Sequence, residues 1–178
     1  MFEESFVIAD LETTGLSPLK NEIIEIGAIR VEKNKIVDKV VMFIKPEIPV
    51  SYVITNITGI TNEMLKDAIS VKEGLAVFMD FAKDYPLVFH NAKFDMGFLN
   101  NYRKKCFNSE FNNKCLDTLY ISKQILKDVP NYKLGTLAEY FNISYNGAHR
   151  SLRDCEITFE VYKNLNKIYN EKNSLILN

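Results

Sequence analysis

Short apolar runs alternate with helical patterns along the chain and predict a mixed α/β fold. Three β-rich runs come first, at Phe6–Glu12, Ile23–Val31 and Ile36–Ile44. Residues 33–35 lie between the second and third runs as a hairpin turn, and Pro46 ends the third, because proline cannot donate to a strand ladder. The opening of the chain is therefore predicted to be an antiparallel meander of three strands.

Helical periodicity dominates the rest of the chain, with two further short strands. Ser70 and Glu73 have the spacing of a capping box, and the apolar residues after them recur at helical spacing. Runs at Leu87–Phe89 and at 115–118 predict a fourth and a fifth strand. The other predicted helices cover 61–66, 94–106, 119–127, 134–141 and 151 to about 169, with a loop at 46–60. This order indicates a mixed five-stranded sheet with helices on both faces.

Length and composition favour one globular domain. The chain has 178 residues, of which 47% are hydrophobic, and the average domain has about 150 residues. A chain of this size buries a sizeable core without disulfides or a structural metal. We expect a single domain over residues 1–170 and a short C-terminal tail at 171–178, where the sequence turns polar.

Charge and cysteine content narrow the class of protein. Lys plus Arg number 22 and Asp plus Glu number 23, which excludes binding of nucleic acid by bulk positive charge but leaves a local site open. Three cysteines without C-x-x-C spacing fit a reducing compartment and argue against a zinc site. No stretch approaches the roughly 18 apolar residues that span a bilayer, and the first residues lack the basic start of a signal peptide. We therefore expect a cytoplasmic protein without a membrane partner.

Two carboxylates interrupt the first predicted strand. Asp10 and Glu12 leave the same face of the strand, with their Cα atoms about 6.6 Å apart. Repulsion and lost hydration make such a pair unfavourable unless a cation offsets it, and Mg²⁺ and Mn²⁺ prefer oxygen ligands. A hydrated strand end is the alternative. The turn at 13–15 favours a ligand site, because Gly15 lets a ligand approach the backbone closely.

Two later segments carry further candidate ligands. Asp95 falls in the first turn of a predicted helix, where interaction with the helix dipole is the alternative to metal binding. His149 and Asp154 would lie about 140° apart on a continuous helix. They converge only if His149 lies in the loop before the last helix, a boundary that Gly147 and the candidate N-cap Ser151 support. Together the four carboxylates and the histidine suit a two-metal phosphoryl site.

In order and spacing these residues resemble the signature of the DEDDh exonucleases. This DnaQ-like 3′ to 5′ exonuclease family contains the proofreading subunits and domains of bacterial replicative DNA polymerases. The matching motifs are residues 9–15, 90–99 and 132–154, so the resemblance covers nearly the whole chain. It implies a ribonuclease H-like fold and two Mg²⁺ or Mn²⁺ ions held by four carboxylates, with His149 as the general base. The implied metal ligands are Asp10, Glu12, Asp95 and Asp154.

The resemblance also implies contacts with a substrate. In relatives the backbone after the first motif meets the terminal nucleotide, which maps here onto Thr13, Gly15 and Leu16. Asn91 and Phe98 match positions that border the substrate, with ordinary helix core as the alternative for Phe98.

The activity implied is removal of nucleoside 5′-monophosphates from the 3′ end of single-stranded or frayed DNA, in proofreading or repair. A DNA polymerase is a candidate partner. One alternative is an exoribonuclease that trims RNA ends, because recognition of the 2′-OH cannot be read from the residues. A catalytically silent nucleic-acid-binding or polymerase-docking module is the other, and the intact set of five residues argues against it. The absence of a G-x-G-x-x-G after the first strand argues against a mononucleotide-binding Rossmann domain.

Overall fold

A mixed sheet forms the centre of the molecule. The computed structural model describes residues 2–176 of the chain. Strands β1 (Phe6–Thr13), β2 (Ile23–Glu32) and β3 (Lys35–Phe43) form an antiparallel meander. Strands β4 (Leu87–Phe89) and β5 (Cys115–Asp117) add parallel pairs beside β1. The resulting five-stranded order is β3-β2-β1-β4-β5. The predicted meander and the predicted fold class are confirmed.

Helices cover both faces of this sheet. On one face lie α3 (Val71–Ala82) and α4 (Ala92–Phe107). On the other lie α5 (Thr118–Ile125), α6 (Leu134–Tyr140) and α7 (Ser151–Ile176). None of the helices within residues 2–176 is long and apolar enough to cross a membrane.

Alternation along β1 decides which face each of its side chains reaches. One row joins the core beneath α3 and α4: Val7, Ala9 and Leu11. Phe6 and Ile8 join the other core, beneath α5, α6 and α7. By the strand period of two, Asp10 and Glu12 continue the row of Phe6 and Ile8. The carboxylate pair therefore lies on the face that α7 covers.

The prediction of a loop at 46–60 is wrong in part, because this segment contains the short helix α1 (Tyr52–Thr58). The Ser51 hydroxyl caps this helix by accepting a hydrogen bond from the Ile54 backbone N–H, and Gly59 ends it with a φ of 72°. A helix of 7 residues completes too few turns to show a periodic pattern. The still shorter α2 (Asn62–Leu65) follows it, close to the predicted position.

The predicted end of the last helix near residue 169 is also wrong. Helix α7 continues to Ile176, through most of the segment that was predicted to be a tail. Polar residues can continue a helix on its solvent-facing side, and Lys172 Nζ also donates to the Ile125 carbonyl at the end of α5, at 2.7 Å. Residues 177–178 lie outside the described part of the chain.

Candidate active site

Three carboxylates meet where β1 passes the first turn of α7. Asp10, Glu12 and Asp154 each offer an oxygen within 4.8 Å of the others. Helix α7 approaches closely because Gly27, which pairs with Asp10, has no side chain. A Cβ at this glycine would lie 2.5 Å from Ser151 Oγ and 2.6 Å from the Leu152 backbone nitrogen. The tight packing of α7 on β2 therefore brings Asp154 to the pair on β1.

Asp95 lies next to this carboxylate group but outside it. Its side chain is 3% exposed, and its Oδ1 accepts a hydrogen bond from the Leu11 backbone N–H at 3.1 Å. That bond ties α4 to β1 between Asp10 and Glu12. Of the predicted ligands, the structure thus brings Asp10, Glu12 and Asp154 into one group, and Asp95 lies near enough to Asp10 for its charge to raise the pKa of that carboxyl.

Burial and mutual repulsion raise the pKa of the clustered carboxyls. For Asp10 burial is the largest cause, followed by the charges of Asp95 and Asp154, and the pKa lies well above its ordinary value. Burial likewise raises the pKa of Glu12 to about 8 and raises that of Asp154. Within residues 2–176, Asp154 Oδ1 is buried without a hydrogen-bond partner. Because a divalent cation would satisfy this oxygen and offset the repulsion, the donor set fits hard metal ions.

A further carboxylate, Glu25 on β2, is fully buried beside this group, but its oxygens are already paired. Oε1 accepts hydrogen bonds from Arg150 Nε at 3.0 Å and Nη2 at 2.7 Å. Oε2 accepts from the backbone N–H and the hydroxyl of Ser151, both at 2.7 Å. Glu25 therefore anchors the start of α7. The N-cap predicted for Ser151 is wrong, since Ser151 is the first helical residue and its hydroxyl bonds to the sheet.

His149 lies at the rim of the carboxylate group, in the loop before α7. Its side chain is exposed, and its backbone has a φ of 65°, in the left-handed region. Its backbone N–H donates to Asp154 Oδ2 at 3.2 Å. His149 thus lies in the loop and Asp154 in the first turn of α7, which is the arrangement predicted for two residues five positions apart that come together.

The residues predicted to contact substrate differ in exposure. Leu16, in the loop after β1, is 85% exposed, whereas Thr13 is buried and its hydroxyl donates to the Gly15 carbonyl at 2.7 Å. Asn91 is exposed and begins α4 with a φ of 72°. Phe98 is 0% exposed and belongs to the core beneath α3 and α4, so the structure favours the core alternative for this residue.

Asp117, at the end of β5, organises the start of α4, a role that the pattern did not predict. It accepts hydrogen bonds from the backbone N–H groups of Asn91 at 3.0 Å and Ala92 at 3.1 Å. It also caps its own helix by accepting from the Leu119 N–H at 2.9 Å. A carboxylate between a strand and a helix is a cap signal. The hydrogen bonds of Asp117 at the start of α4 form because the parallel pairing of β4 and β5 brings the ends of the two strands together.

Comparison with known proteins places these features in a family. The model of the family described as Exonuclease (RNase_T) matches residues 7–162. The PolC-type DNA polymerase III of Caldanaerobacter subterraneus subsp. tengcongensis is 45% identical over 160 residues, covering 90% of this chain. That of Bacillus subtilis is 41% identical over 157 residues, covering 88%. The chain spans only 11% of the length of each of these two relatives.

Solved structures share the fold. Exonuclease X in complex with 5′ overhanging duplex DNA superimposes with a TM-score of 0.74 at 24% identity, over 90% of both chains. E. coli exonuclease I in complex with a dT13 oligonucleotide gives a TM-score of 0.81 at 19% identity, over 98% of this chain and 44% of that one. At these identities the likeness shows the fold alone. With the family model spanning all three motifs, the chain belongs to the exonuclease family, and its resemblance to the DnaQ-like 3′ to 5′ exonucleases is confirmed.

Proposed function

We propose that this chain is a metal-dependent 3′ to 5′ exonuclease that hydrolyses single-stranded or frayed DNA and releases nucleoside 5′-monophosphates. The observation that carries the proposal is the convergence of Asp10, Glu12 and Asp154 beside the exposed side chain of His149. Membership of the exonuclease family supports phosphodiester hydrolysis. The PolC-type DNA polymerase relatives support DNA as the substrate.

The carboxylates would hold divalent cations. Asp10, Glu12 and Asp154 supply the oxygens, and Asp95 adds a fourth carboxylate next to Asp10. Two Mg²⁺ or Mn²⁺ ions, when bound, supply an activated water and stabilise the charge on the leaving oxygen. Carboxylate oxygens are the ligands that both ions prefer.

His149 would take the proton from the attacking water. Histidine accepts protons near neutral pH, and the exposed side chain at the rim of the carboxylate group is accessible to solvent. The backbone of Thr13 and Gly15, at the end of β1, would position the terminal nucleotide. The exposed Leu16 side chain offers an apolar surface for its base, and Asn91 lies at the start of α4, the helix that carries Asp95.

Asp10→Asn tests the carboxylate group with a nearly isosteric change. We expect digestion of a DNA oligonucleotide to fall by at least about 100-fold, because a charged ligand is lost from the site. The metal-free variant should melt no lower than the wild type, since a repelling charge has been removed. Asp80→Asn, at an exposed position on α3, is the control and should keep full activity. Full activity of Asp10→Asn in Mg²⁺ would reject the proposal.

Substrate choice is tested with matched DNA and RNA oligonucleotides, labelled at either end, with and without Mg²⁺. A 3′ to 5′ exonuclease shortens a 5′-labelled strand stepwise and releases a labelled mononucleotide from a 3′-labelled strand. Faster digestion of RNA would favour the exoribonuclease alternative, because only RNA presents a 2′-OH. No digestion of either strand would favour the silent binding module.

A role beside a DNA polymerase in the cytoplasm is part of the same proposal. Its support is the PolC-type relatives, of whose length the chain matches 11%. Gel filtration of the chain with a PolC-type polymerase lacking its own matching segment tests the association. Co-elution supports a polymerase partner, and separate elution at concentrations of about 10 μM would argue against a stable complex.

A further inference from the structure

The loop between α6 and α7, which carries His149, is held in place from α7. Arg153 Nε donates to the Asn146 carbonyl at 3.0 Å, and Arg153 Nη2 donates to the Ser144 carbonyl. These two carbonyls flank Tyr145 in the chain. Gly147, with a φ of 78°, then turns the backbone toward His149. The backbone around Tyr145 is therefore anchored to the helix that carries Asp154.

The His149 ring packs against the aromatic ring of Tyr145. The Tyr145 ring meets it edge to face, with the ring centroids 6.2 Å apart and the planes at 83°. Within residues 2–176 neither imidazole nitrogen makes a hydrogen bond, and the bond to Asp154 comes from the backbone N–H. Edge-to-face contacts are one of the preferred arrangements of aromatic rings. The contact with Tyr145 therefore limits the directions that the imidazole can take.

The Tyr145 ring also lies close to Gly135 on α6. A Cβ at this glycine would lie 3.2 Å from Tyr145 Cζ and 3.3 Å from Cε1, closer than ordinary van der Waals contact. Glycine is less favourable than alanine in a helix, so its presence needs a compensating reason. Here the missing side chain makes room for the tyrosine ring.

We propose that Tyr145 is a positioning residue, which packs between Gly135 and His149 and directs the imidazole toward the carboxylate group. The inference rests on the proposed function, because it assigns Tyr145 a role through the proposed base. The phenol also lies in the electrostatic field of the site: burial raises the pKa of Tyr145, and the charges of Asp154, Asp10 and Glu12 raise it further.

Tyr145→Ala and Tyr145→Phe separate positioning from other roles. We expect Tyr145→Ala to lower kcat about 10- to 100-fold with KM changed less than about threefold, because a misdirected base slows the chemical step. Tyr145→Phe keeps the ring contact and should stay within about threefold of wild type in kcat. Tyr140→Ala, on α6 and half exposed, is the matched control. A rise in KM alone for Tyr145→Ala would indicate direct substrate contact and overturn the proposal.

Gly135→Ala keeps the proposal testable if Tyr145→Ala does not fold. The added methyl group would require the Tyr145 ring to shift by a few tenths of an ångström, so we expect a smaller loss in kcat than for Tyr145→Ala. In the double variant with Tyr145→Ala the methyl group should have no further effect, because the ring it would displace is gone. Unchanged kcat in a folded Gly135→Ala variant whose Tyr145 ring has moved would overturn the proposal.

The His149→Ala background distinguishes this inference from the proposed function. If His149 is the base, His149→Ala loses activity, and adding Tyr145→Ala then lowers kcat by less than about twofold. If Tyr145→Ala instead lowers kcat by the same factor in both backgrounds, Tyr145 does not act through His149, and only the inference fails. If His149→Ala alone is fully active, the proposed base itself is rejected and the inference fails with it.

Discussion

Glu25 shows how one buried side chain organises a site that it does not enter. It is 0% exposed and lies opposite Glu12 in the pairing of β1 and β2. Its oxygens hold Arg150 and Ser151, the residues that connect the His149 loop to α7. A buried carboxylate with every acceptor used costs less to keep charged than one without partners. The role of Glu25 is therefore to fix the position of α7, which carries Asp154.

Glu25→Gln is expected to weaken both the fold and the site. The amide replaces an acceptor oxygen with a donor that faces other donors, so the free energy of unfolding should fall by about 1–3 kcal/mol. This loss in the free energy of unfolding is smaller than for a fully buried ion pair, because the Arg150 side chain is 42% exposed and solvent screens its charge. Urea denaturation measures this, with Glu110→Gln at an exposed position as control. Equal stability of the two variants would contradict the anchoring role.

At the scale of elements, the close approach of β2 and α7 determines the geometry of the carboxylate group. Gly27 permits this approach, and the contact atoms on α7 belong to backbone as well as to the Ser151 side chain. Backbone atoms of a helix cannot move independently. Any side chain at position 27 must therefore shift the whole first turn of α7, including Asp154.

Gly27→Ala should consequently lose stability and activity together. Overpacking of this kind costs about 1–3 kcal/mol, and a shift of Asp154 by about 1 Å is enough to lower the rate about 100-fold. The matched control is Gly97→Ala on α4, where the new Cβ would meet only Pro18 Cγ, at 3.5 Å, and Pro18 Cβ, at 4.0 Å. Thermal unfolding and oligonucleotide digestion measure the two effects. A Gly27→Ala variant as stable and active as the wild type would mean that α7 tolerates displacement.

For the molecule as a whole, the clustered carboxyls link stability to pH. Burial raises the pKa of Glu12 from its ordinary value of 4.5 to about 8 in the folded protein. Between these values the folded state binds more protons than the unfolded state, so the free energy of unfolding falls as pH rises through the window. The raised pKa values of Asp10 and Asp154 act in the same direction.

In a chelator, we therefore expect the melting temperature to fall between about pH 5 and about pH 8. Glu12→Gln should show a shallower fall, since the group that titrates across the window is gone. Mn²⁺ or Mg²⁺ should raise the melting temperature more at the upper pH, because metal binds the deprotonated carboxylates. Calorimetry across this range measures both effects. A metal-induced increase that is larger at the lower pH would contradict the assignment of these carboxylates as ligands.

Much of the fold and the site follows from the order of residues alone. The period of the apolar residues predicts the five strands and most helices, because burial of one face imposes that period locally. The strand period places Asp10 and Glu12 on one face of β1. The rotation of about 100° per helical residue required His149 to lie in the loop before α7 if it was to meet Asp154. Helix α1 was not predicted, because a helix of 7 residues is too short to show the helical period of apolar residues.

Tertiary structure alone decided how these parts meet. The bonds from Arg150 and Ser151 to Glu25 join residues 125 and 126 positions apart in the chain. The space that Gly135 leaves for the Tyr145 ring depends on how α6 and α7 pack. The contact between the Tyr145 ring and the His149 ring depends on the same packing. Local periodicity carries no information on such distances, because they are set by the packing of side chains between elements. The sequence by itself thus determined the order of the elements and the candidate ligands Asp10, Glu12 and Asp154, and packing determined that these three meet.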